Sequence, residues 1–379
     1  MRNDIFRKGF VFGIILVLLA SNISFVSSEI IKYKNYSNNL LPHHNKYKKE
    51  IYIVETKDNS SVTLTRYVGT KRPSIILIHG MGSDHKFFDW DDNHSLAQFL
   101  NNDEWDVWML DLRTHDGDGD FFCVNGSDRE YINRYWDFDR TLLKIDVVTA
   151  IDFVKNKTGC NKIVLSGHSY GGYLAYAYAE LIGEENLSGV ITTGAAPYAN
   201  PKDFQRLTHM YRYGFYLGEK AFVRPWGCPF SYTPKWKIDW SCKIWKPTAN
   251  FIFYFNTTPE YIQKAITYCR DNEPAGVCVD MHFGKDPKKY HGDWVDPQTL
   301  YNYSANLYKI TSPILFIAGA NDPQDPSVDI YKAYENVSST IKEYHSYPNH
   351  SHLDLLLGND ASSLIFPVIT NWMNSNIAS

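Results

Sequence analysis

Residues 162–180, KIVLSGHSYGGYLAYAYAE, decide how this chain folds. Residues 163–166 are mostly branched and apolar, which predicts a short buried strand, and the residues from Tyr170 onward predict a helix. Ser169 lies between the two, within a Gly-x-Ser-x-Gly pattern. At so sharp a junction a serine Oγ projects above the carboxyl end of the sheet. We therefore interpret Ser169 as a candidate nucleophile rather than as a serine in an ordinary turn.

The residues upstream of this segment predict a helix that leads into the strand. Apolar residues between positions 143 and 154 recur at helical spacing, with either Asp137 or Asp139 available as the N-cap. Gly159 predicts the end of this helix. Residues 136–179 are therefore expected to form a helix–strand–helix unit of an α/β fold.

Short apolar runs separated by helical stretches continue along the chain. Residues 51–55 and 62–68 alternate in polarity and predict an antiparallel hairpin at the edge of a sheet. The later runs are continuous and rich in Ile and Val, as expected for parallel strands that are buried on both faces. They are residues 74–78, 106–111, 163–166, 189–193 and 314–318. Together with a last helix at 362–374, they predict a doubly wound, mostly parallel α/β sheet.

The strand pattern breaks in the second half of the chain, which predicts an inserted cap or lid. Residues 201–305 contain five of the ten tryptophans and four of the six cysteines. We therefore divide the 379 residues into five segments. They are a signal peptide (1–28), a polar lead-in (29–50), the first part of the core (51–200), the cap (201–305) and the second part of the core (306–379).

The N-terminus has the order of a secretory signal. Three basic residues lie among the first eight positions, followed by the apolar run 9–20 and then by small and polar residues. Val26 and Ser28 fit the −3 and −1 positions of a cleavage site, so the mature chain is expected to begin at Glu29. The alternative is a membrane anchor, for which the run is short. We predict entry into the secretory pathway, with secretion or lysosomal delivery as the outcome.

Two further features agree with a secretory compartment. Ten Asn-x-Ser/Thr sequons lie beyond the signal, and the cysteines are even in number, without a Cys-x-x-Cys pair. The sequons are at Asn35, Asn59, Asn93, Asn125, Asn156, Asn186, Asn256, Asn302, Asn336 and Asn349. Proximity predicts the disulfides Cys228–Cys242 and Cys269–Cys278, with Cys123 and Cys160 either paired or free. The alternative is six buried thiols.

Composition and motifs exclude several classes of function. A formal net charge of −4 gives no electrostatic basis for binding nucleic acid. The 13 histidines are scattered and show no His-Glu-x-x-His pattern, so we expect no metal site. We also expect no cofactor, because serine chemistry of this kind needs only side chains and backbone.

A serine hydroxyl needs a general base, and the base needs an acid that orients it. In the strand–Gly-x-Ser-x-Gly–helix fold the acid follows the serine, and the histidine follows the acid. Asp322 comes directly after a predicted strand, at the functional edge of the sheet. The base is either His350 or His352, which the chemistry alone leaves open. Asp325 and Asp329 are expected to be solvated acids, and His345 is expected to be a structural histidine.

The nucleophile also needs backbone donors for the oxyanion that forms on its substrate. Residues 75–83, IILIHGMGS, predict a strand that ends in His79 and Gly80 and continues into a tight turn. The N–H groups of Met81 and Tyr170 are the predicted pair of donors. His79 is expected to be structural, because the loop uses its backbone.

At these motifs the sequence resembles the acid lipase family of α/β-hydrolases, which includes gastric lipase and lysosomal acid lipase. The resemblance extends over about residues 75–372 and rests on HGMGS (79–83), GHSYGG (167–172), AGANDPQDPSVD (318–329) and HSHLDLLLG (350–358). The last two stretches favour Asp322 as the acid and His352 over His350. Tyr170 stands where the family usually has Gln, and DLRTHDGDGDFF (111–122) replaces the family's Asn-x-Arg-Gly stretch.

The resemblance implies a secreted or lysosomal hydrolase of lipid esters, triacylglycerols or steryl esters, that works through Ser169, Asp322 and His352. The cap would then cover an acyl pocket. Its tryptophans would either rest at a lipid–water interface, to which the enzyme binds peripherally, or pack the cap interior. Two alternatives use the same scaffold: an acyltransferase with the same three residues, and a non-catalytic lipid-binding protein.

Overall fold

The strands predicted from the apolar runs lie side by side in one sheet. The computed structural model describes residues 47–113, 115, 136–199, 277, 280–281 and 284–377. The strands in these residues are β1 (Lys49–Glu55), β2 (Ser61–Tyr67), β3 (Lys71–Ile78), β4 (Trp105–Asp111), β5 (Ile163–His168), β6 (Leu187–Thr193), β7 (Ile314–Gly319) and β8 (Lys342–Tyr347). They form an eight-stranded sheet in the order β1-β2-β4-β3-β5-β6-β7-β8.

The sheet is antiparallel at one edge and parallel through the rest. β1 pairs with β2, and β2 with β4, in antiparallel fashion, which confirms the predicted edge hairpin. From β4 onward every pairing is parallel, and Ile76 of β3 lies between Trp108 of β4 and Leu165 of β5. Because β3 and β5 are parallel neighbours, the segments that follow them, with His79 and Ser169, emerge at the same edge of the sheet.

Helices lie between the strands in sequence. In the described residues the α-helices are α1 (Leu96–Asn102), α2 (Val148–Thr158), α3 (Tyr170–Tyr178), α4 (Pro287–Tyr290), α5 (Tyr303–Asn306), α6 (Ser327–Asn336), α7 (Asp354–Leu357), α8 (Ala361–Leu364) and α9 (Phe366–Asn376). Wider π-helical turns precede α2 (Phe138–Val147) and follow α3 (Ala179–Gly183), and 3₁₀ turns lie at His85–Phe88, Glu184–Asn186 and Leu307–Lys309. The predicted single helix at 362–374 is two helices, because Pro367 has no N–H and is accommodated in the first turn of a new helix.

Local residues explain where the helical unit before β5 begins and ends. Asp137 is the N-cap: its Oδ1 accepts hydrogen bonds from two backbone N–H groups of the first turn, at 2.7 and 3.1 Å. Asp139 instead places its carboxylate 2.6 Å from the Nζ of Lys144. Gly159 ends α2 in the left-handed conformation, with a φ of 74°, as predicted.

Both faces of the sheet are buried, as the continuous apolar runs predict. In β3, Ile76 and Ile78 belong to one buried cluster, whereas Ile75 and Leu77 belong to the cluster on the opposite face. Alternate residues of a strand point to opposite faces, so each strand in the middle of the sheet contributes to two cores. This burial holds the sheet rigid beneath the loops at its carboxyl edge.

Trp294, from the segment predicted as the cap, packs into the main core. Its ring stacks on Tyr303 with 4.0 Å between ring centroids, and it packs edge-on against Phe138 at 5.1 Å and Tyr173 at 4.9 Å. This tryptophan therefore fills the interior. Residues 201–276 lie outside the described residues, so the cap remains a prediction.

Several other sequence predictions also concern residues that are not described. These are the signal peptide (1–28), most of the lead-in, the cysteines Cys123, Cys228, Cys242, Cys269 and Cys278, and the sequons Asn35, Asn125 and Asn256. Cys160 is described, and its half-buried thiol is free, 4.0 Å from the Oγ of Ser74. Across the described ranges, no helix has both the length and the apolar character needed to cross a bilayer.

Candidate active site

The turn between β5 and α3 holds Ser169 in a backbone conformation that is costly for a residue with a side chain. Its φ is 52° and its ψ is −119°, a combination that costs about 1–3 kcal/mol. Its N–H donates to the carbonyl of Thr193 at 2.9 Å, and its own carbonyl accepts from the N–H of Gly172 at 2.8 Å. His168 and Tyr170 on either side are buried, whereas Ser169 is partly exposed. The strained turn thus presents the serine hydroxyl outward.

The glycines of this motif are required by close packing. A Cβ on Gly167 would lie 2.1 Å from the carbonyl carbon of Gly171, and a Cβ on Gly171 would lie 2.1 Å from the carbonyl oxygen of Ile78. A Cβ on Gly172 would lie 2.4 Å from the Cβ of Ala195. Such atoms essentially never approach closer than 3.0 Å, so the helix can pack this tightly on the strands only where side chains are absent.

Asp322 and His352 form a buried pair beyond the carboxyl ends of β7 and β8. His352 Nδ1 lies 2.7 Å from Asp322 Oδ2, and the two residues are 3% and 4% exposed. The other carboxylate oxygen of Asp322 accepts from the N–H groups of Gln324 at 2.9 Å and Asp325 at 3.1 Å. Because its partner is a carboxylate, Nδ1 carries the proton, and Nε2 is the nitrogen suited to act as a base.

The structure separates the two candidate histidines, which the sequence chemistry left open. His350 lies with its Nε2 2.9 Å from Asp360 Oδ1 and its Nδ1 2.9 Å from a backbone carbonyl. It is therefore engaged away from Asp322, and only His352 of this pair contacts that acid. His345 lies within β8, where its side chain is half-exposed.

Contacts around His168 and Gly194 bring the Asp–His pair to the serine turn. The ring of His168, the residue before Ser169, lies 4.7 Å from the ring of His352, and its Nε2 donates to the His352 carbonyl at 3.1 Å. Gly194, with a φ of 56°, passes beside the pair. A Cβ there would lie 3.4 Å from His352 Nδ1 and 3.5 Å from Asp322 Oδ2. The serine turn and the Asp–His pair are therefore neighbours at the carboxyl edge of the sheet.

The loop after β3 approaches the same turn. A Cβ on Gly80 would lie 3.3 Å from the Cβ of Ser169 and 3.2 Å from His168 Nδ1, so the backbone of the loop passes close to the serine. His79 holds this loop: its Nδ1 donates to the Gly80 carbonyl at 2.8 Å, and its Nε2 accepts from the N–H of Leu112 at 3.3 Å. Burial lowers the pKa of His79 to about 3, so the imidazole is neutral, in keeping with one donating and one accepting nitrogen.

The prediction that Asp325 is solvated is wrong. Asp325 is 4% exposed, and its Oδ2 lies 3.7 Å from His352 Nδ1. The turn after β7 folds back on itself because Asp322 accepts a hydrogen bond from the N–H of Asp325, and this directs the second carboxylate inward.

Lys285 and Tyr173 lie beside Asp325. They were not predicted from the sequence, because nothing in it connects them to the acid loop. Asp322, Asp325 and His352 lie close enough together to hold a metal ion. Because Asp322 and His352 are in hydrogen-bonding contact at 2.7 Å, we interpret the cluster as an acid–base pair with a second acid beside it.

A serine at a strained strand-to-helix turn, an Asp–His pair and a glycine loop at one edge of a parallel sheet are the parts of a hydrolytic site. Residues 75–361 match the model of the family described as "Alpha/beta hydrolase family". The chain belongs to the alpha/beta hydrolase family. The fold class predicted from the strand pattern is thereby confirmed, with an eight-stranded, mostly parallel sheet at its centre.

Similarity to known proteins agrees with the resemblance to acid lipases and confirms it. Lipase 3 of Drosophila melanogaster is 26% identical over 374 residues, which cover 87% of this chain and 90% of that protein. Lysosomal acid lipase/cholesteryl ester hydrolase of Homo sapiens is 25% identical over 384 residues, covering 91% and 90%. A solved structure of a putative lipase from Sulfolobus solfataricus superposes with a TM-score of 0.59 at 14% identity, covering 91% of this chain and 99% of that chain, and supports the fold. The protein is a carboxylic ester hydrolase.

Proposed function

We propose that this protein hydrolyses lipid esters through Ser169, His352 and Asp322. The observation that supports the proposal most is the 2.7 Å contact between His352 and Asp322, next to a serine held at a positive φ. In this mechanism Ser169 Oγ attacks the ester carbonyl, and His352 Nε2 takes the serine proton and later returns it to the leaving alcohol. Asp322 fixes the imidazole tautomer and stabilises the charged form. Water then cleaves the acyl-enzyme by the same steps in reverse order.

The oxyanion is proposed to bind to the N–H groups of Met81 and Tyr170. Tyr170 is the first residue of α3, where the N–H groups of a helix point outward and carry partial positive charge. Met81 follows Gly80, whose carbonyl is held by His79. In a trans peptide the N–H points opposite to the C=O, so this hydrogen bond also sets the direction of the Met81 N–H. Within the described residues, none of the hydrogen bonds gives that N–H an acceptor.

Replacing His79 with phenylalanine is expected to lower kcat by roughly tenfold to a hundredfold, with a smaller change in KM. The aromatic ring keeps most of the buried volume, but the Gly80 carbonyl loses its donor and the oxyanion loop loses its fixed direction. The unpaired N–H of Leu112 also lowers the free energy of unfolding by about 1–3 kcal/mol. Steady-state kinetics with a soluble acyl ester would measure the first effect, and urea denaturation the second.

His345→Phe is the matched control for this substitution. His345 is a half-exposed histidine of β8, and its side chain contacts Glu343 rather than the loop. The control is expected to keep the wild-type kcat. A His79→Phe enzyme that is folded and retains full kcat would contradict the role given to the Gly80–Met81 peptide.

Lipid esters are the proposed substrates because relatives that match most of the chain are named as lipases. The human relative is also named as a cholesteryl ester hydrolase. The proposal includes entry into the secretory pathway, with secretion or lysosomal delivery. It is supported by the predicted signal at 1–28, by the sequons and by the name of the lysosomal relative. Aromatic residues of the predicted cap are proposed to contact the lipid–water interface.

Protein produced in a secretory host is expected to hydrolyse long-chain triacylglycerol and steryl esters in emulsion, and to release free fatty acid. The measurement is fatty-acid release against acyl chain length from pH 4 to 8, with and without an added alcohol. Transfer of the acyl group to the alcohol in preference to water would favour the acyltransferase alternative. Cleavage of short soluble esters alone would contradict the assignment to lipids, and binding of lipid without any cleavage would favour the lipid-binding alternative.

A further inference from the structure

A second buried carboxylate lies next to the Asp322–His352 pair. Asp325 Oδ2 is 3.7 Å from His352 Nδ1, the same nitrogen that lies 2.7 Å from Asp322 Oδ2. Asp325 Oδ1 accepts a hydrogen bond from the N–H of Ala196 at 2.9 Å. The imidazole N–H of His352 therefore faces two acids, one at hydrogen-bonding distance and one just beyond it.

Two further side chains hold Asp325 in this position. The hydroxyl of Tyr173, from α3, donates to Asp325 Oδ1. Lys285 is 4% exposed, its Nζ donates to the hydroxyl of Tyr173, and it lies 4.0 Å from the centroid of the tyrosine ring. Buried lysines are rare unless they are paired. The ammonium of Lys285, relayed through Tyr173, is the counter-charge of Asp325.

The charges of this cluster favour a protonated imidazole. With Asp322 and Asp325 ionised and Lys285 charged, the buried cluster has a net charge of −1 while His352 is neutral. Protonation of His352 brings the net charge of the cluster to zero. Burial and the neighbouring Asp322 raise the pKa of the Asp325 carboxyl. Lys285 and His352 favour its ionised form. In a site of low dielectric constant, an unbalanced charge is costly and its neutralisation is favourable.

We propose that Asp325 is a second positioning acid, which stabilises the charged form of His352 while Asp322 orients it. This inference rests on the proposed function, because it concerns the base of the proposed acyl transfer. It also ties the catalytic histidine to Lys285, a residue of the segment predicted as the cap. A purely structural Asp325 would instead only anchor the backbone after β6 through the N–H of Ala196.

Among the described residues, His168 is a further titratable group beside His352, and it adds no charge. In the described residues, the titratable groups of the cluster come from separate elements: Asp322 and Asp325 after β7, His168 of β5, Tyr173 of α3 and Lys285 ahead of α4. Burial lowers the pKa of His168 well below its usual range, so its ring is neutral. The removal of charge from Asp325 should therefore act on His352 directly.

The test is the pH dependence of kcat/KM for a soluble acyl ester in Asp325→Asn. The acid limb of this profile reports the pKa of the base in the free enzyme. Loss of a negative charge beside an imidazolium lowers that pKa, so the acid limb is expected to move to lower pH, by roughly one pH unit. The rate of labelling by a fluorophosphonate, which needs only attack by Ser169, should show the same shift.

Two variants accompany this measurement. Asp329→Asn removes a half-buried acid in the first turn of α6, which interacts with Asp325 and Lys285 rather than with His352, so it is expected to move the acid limb much less than Asp325→Asn does. Tyr173→Phe keeps the ring that packs on Trp294 but removes a donor to Asp325, and it should shift the limb in the same direction by a smaller amount.

The outcomes separate this proposal from the proposed function. If the wild type is not labelled by the fluorophosphonate and does not hydrolyse esters, the proposed function is overturned. The wild type could instead be active, with the same acid limb as the folded variants Asp325→Asn and Tyr173→Phe. That result would overturn only the role of Asp325, even if Asp325→Asn has a lower kcat. A downward shift in both variants that is clearly larger than that of Asp329→Asn supports it.

Discussion

Ser169→Ala is expected to lower kcat for ester hydrolysis by roughly 10⁴-fold or more, without loss of folding. Alanine keeps the Cβ and experiences the same φ of 52°, so the variant removes the Oγ and leaves the turn as it is. In the proposed mechanism, His352 and Asp322 then have no hydroxyl to activate. Kinetics with long- and short-chain esters and labelling by a fluorophosphonate would both report the loss, and circular dichroism would confirm the fold.

Ser169→Gly is the matched variant for the strain at this position. Glycine adopts a positive φ without a steric penalty, so this variant loses the nucleophile and the strain together. It is expected to be as inactive as the alanine variant, and more stable than it by about 1 kcal/mol. Hydrolysis or labelling that survives in Ser169→Ala would mean that another residue is the nucleophile. Equal stability of the two variants would mean that the turn is unstrained.

Most of the sheet could be predicted because strands buried on both faces leave a local signal in the sequence. The run at 163–166 became β5, Ile163–His168, and the run at 314–318 became β7, Ile314–Gly319. The added residues of β5 are small or polar, and they are extended because Gly167 pairs with Thr192 of β6. Such pairing depends on the neighbouring strand, and the composition of the run alone gives no information about that strand.

The placement of the candidate site residues at strand ends could also be predicted, because parallel strands bring their carboxyl ends to one edge. The chemistry of the residues alone does not distinguish His350 from His352, and only the resemblance to acid lipases favours His352. Two histidines so close in sequence differ in what they face, which is Asp360 for His350 and Asp322 for His352. Lys285 could not be predicted to lie in the site, because it stands in FGKDPKKY, a polar run typical of solvated surface. Its burial comes from packing against Tyr173, more than a hundred residues earlier.

Gly171→Ala is expected to destabilise the protein by roughly 3 kcal/mol or more. In an unhindered helix this change would be favourable by about 1 kcal/mol, because alanine has the higher helix propensity. Here the new Cβ would lie 2.1 Å from the carbonyl oxygen of Ile78 and 2.7 Å from that of His79. Both atoms are backbone, so no side chain can rotate away, and α3 has to move off the end of β3. Urea denaturation would show the loss as a lower midpoint at an unchanged slope.

Gly159→Ala distinguishes this clash from the ordinary cost of replacing a glycine. Gly159 has a φ of 74° and no atom within 4 Å of a built Cβ, so its replacement costs only the left-handed strain, about 1–2 kcal/mol. If the clash at Gly171 is relieved to a normal contact distance, the start of the loop after β3, which is proposed to bind the oxyanion, moves by about 1 Å. Misplacement on this scale costs about a hundredfold in rate. The folded fraction of Gly171→Ala should therefore also lose kcat/KM, while Gly159→Ala keeps it. Equal stability and activity in the two variants would contradict the close packing of α3 on β3.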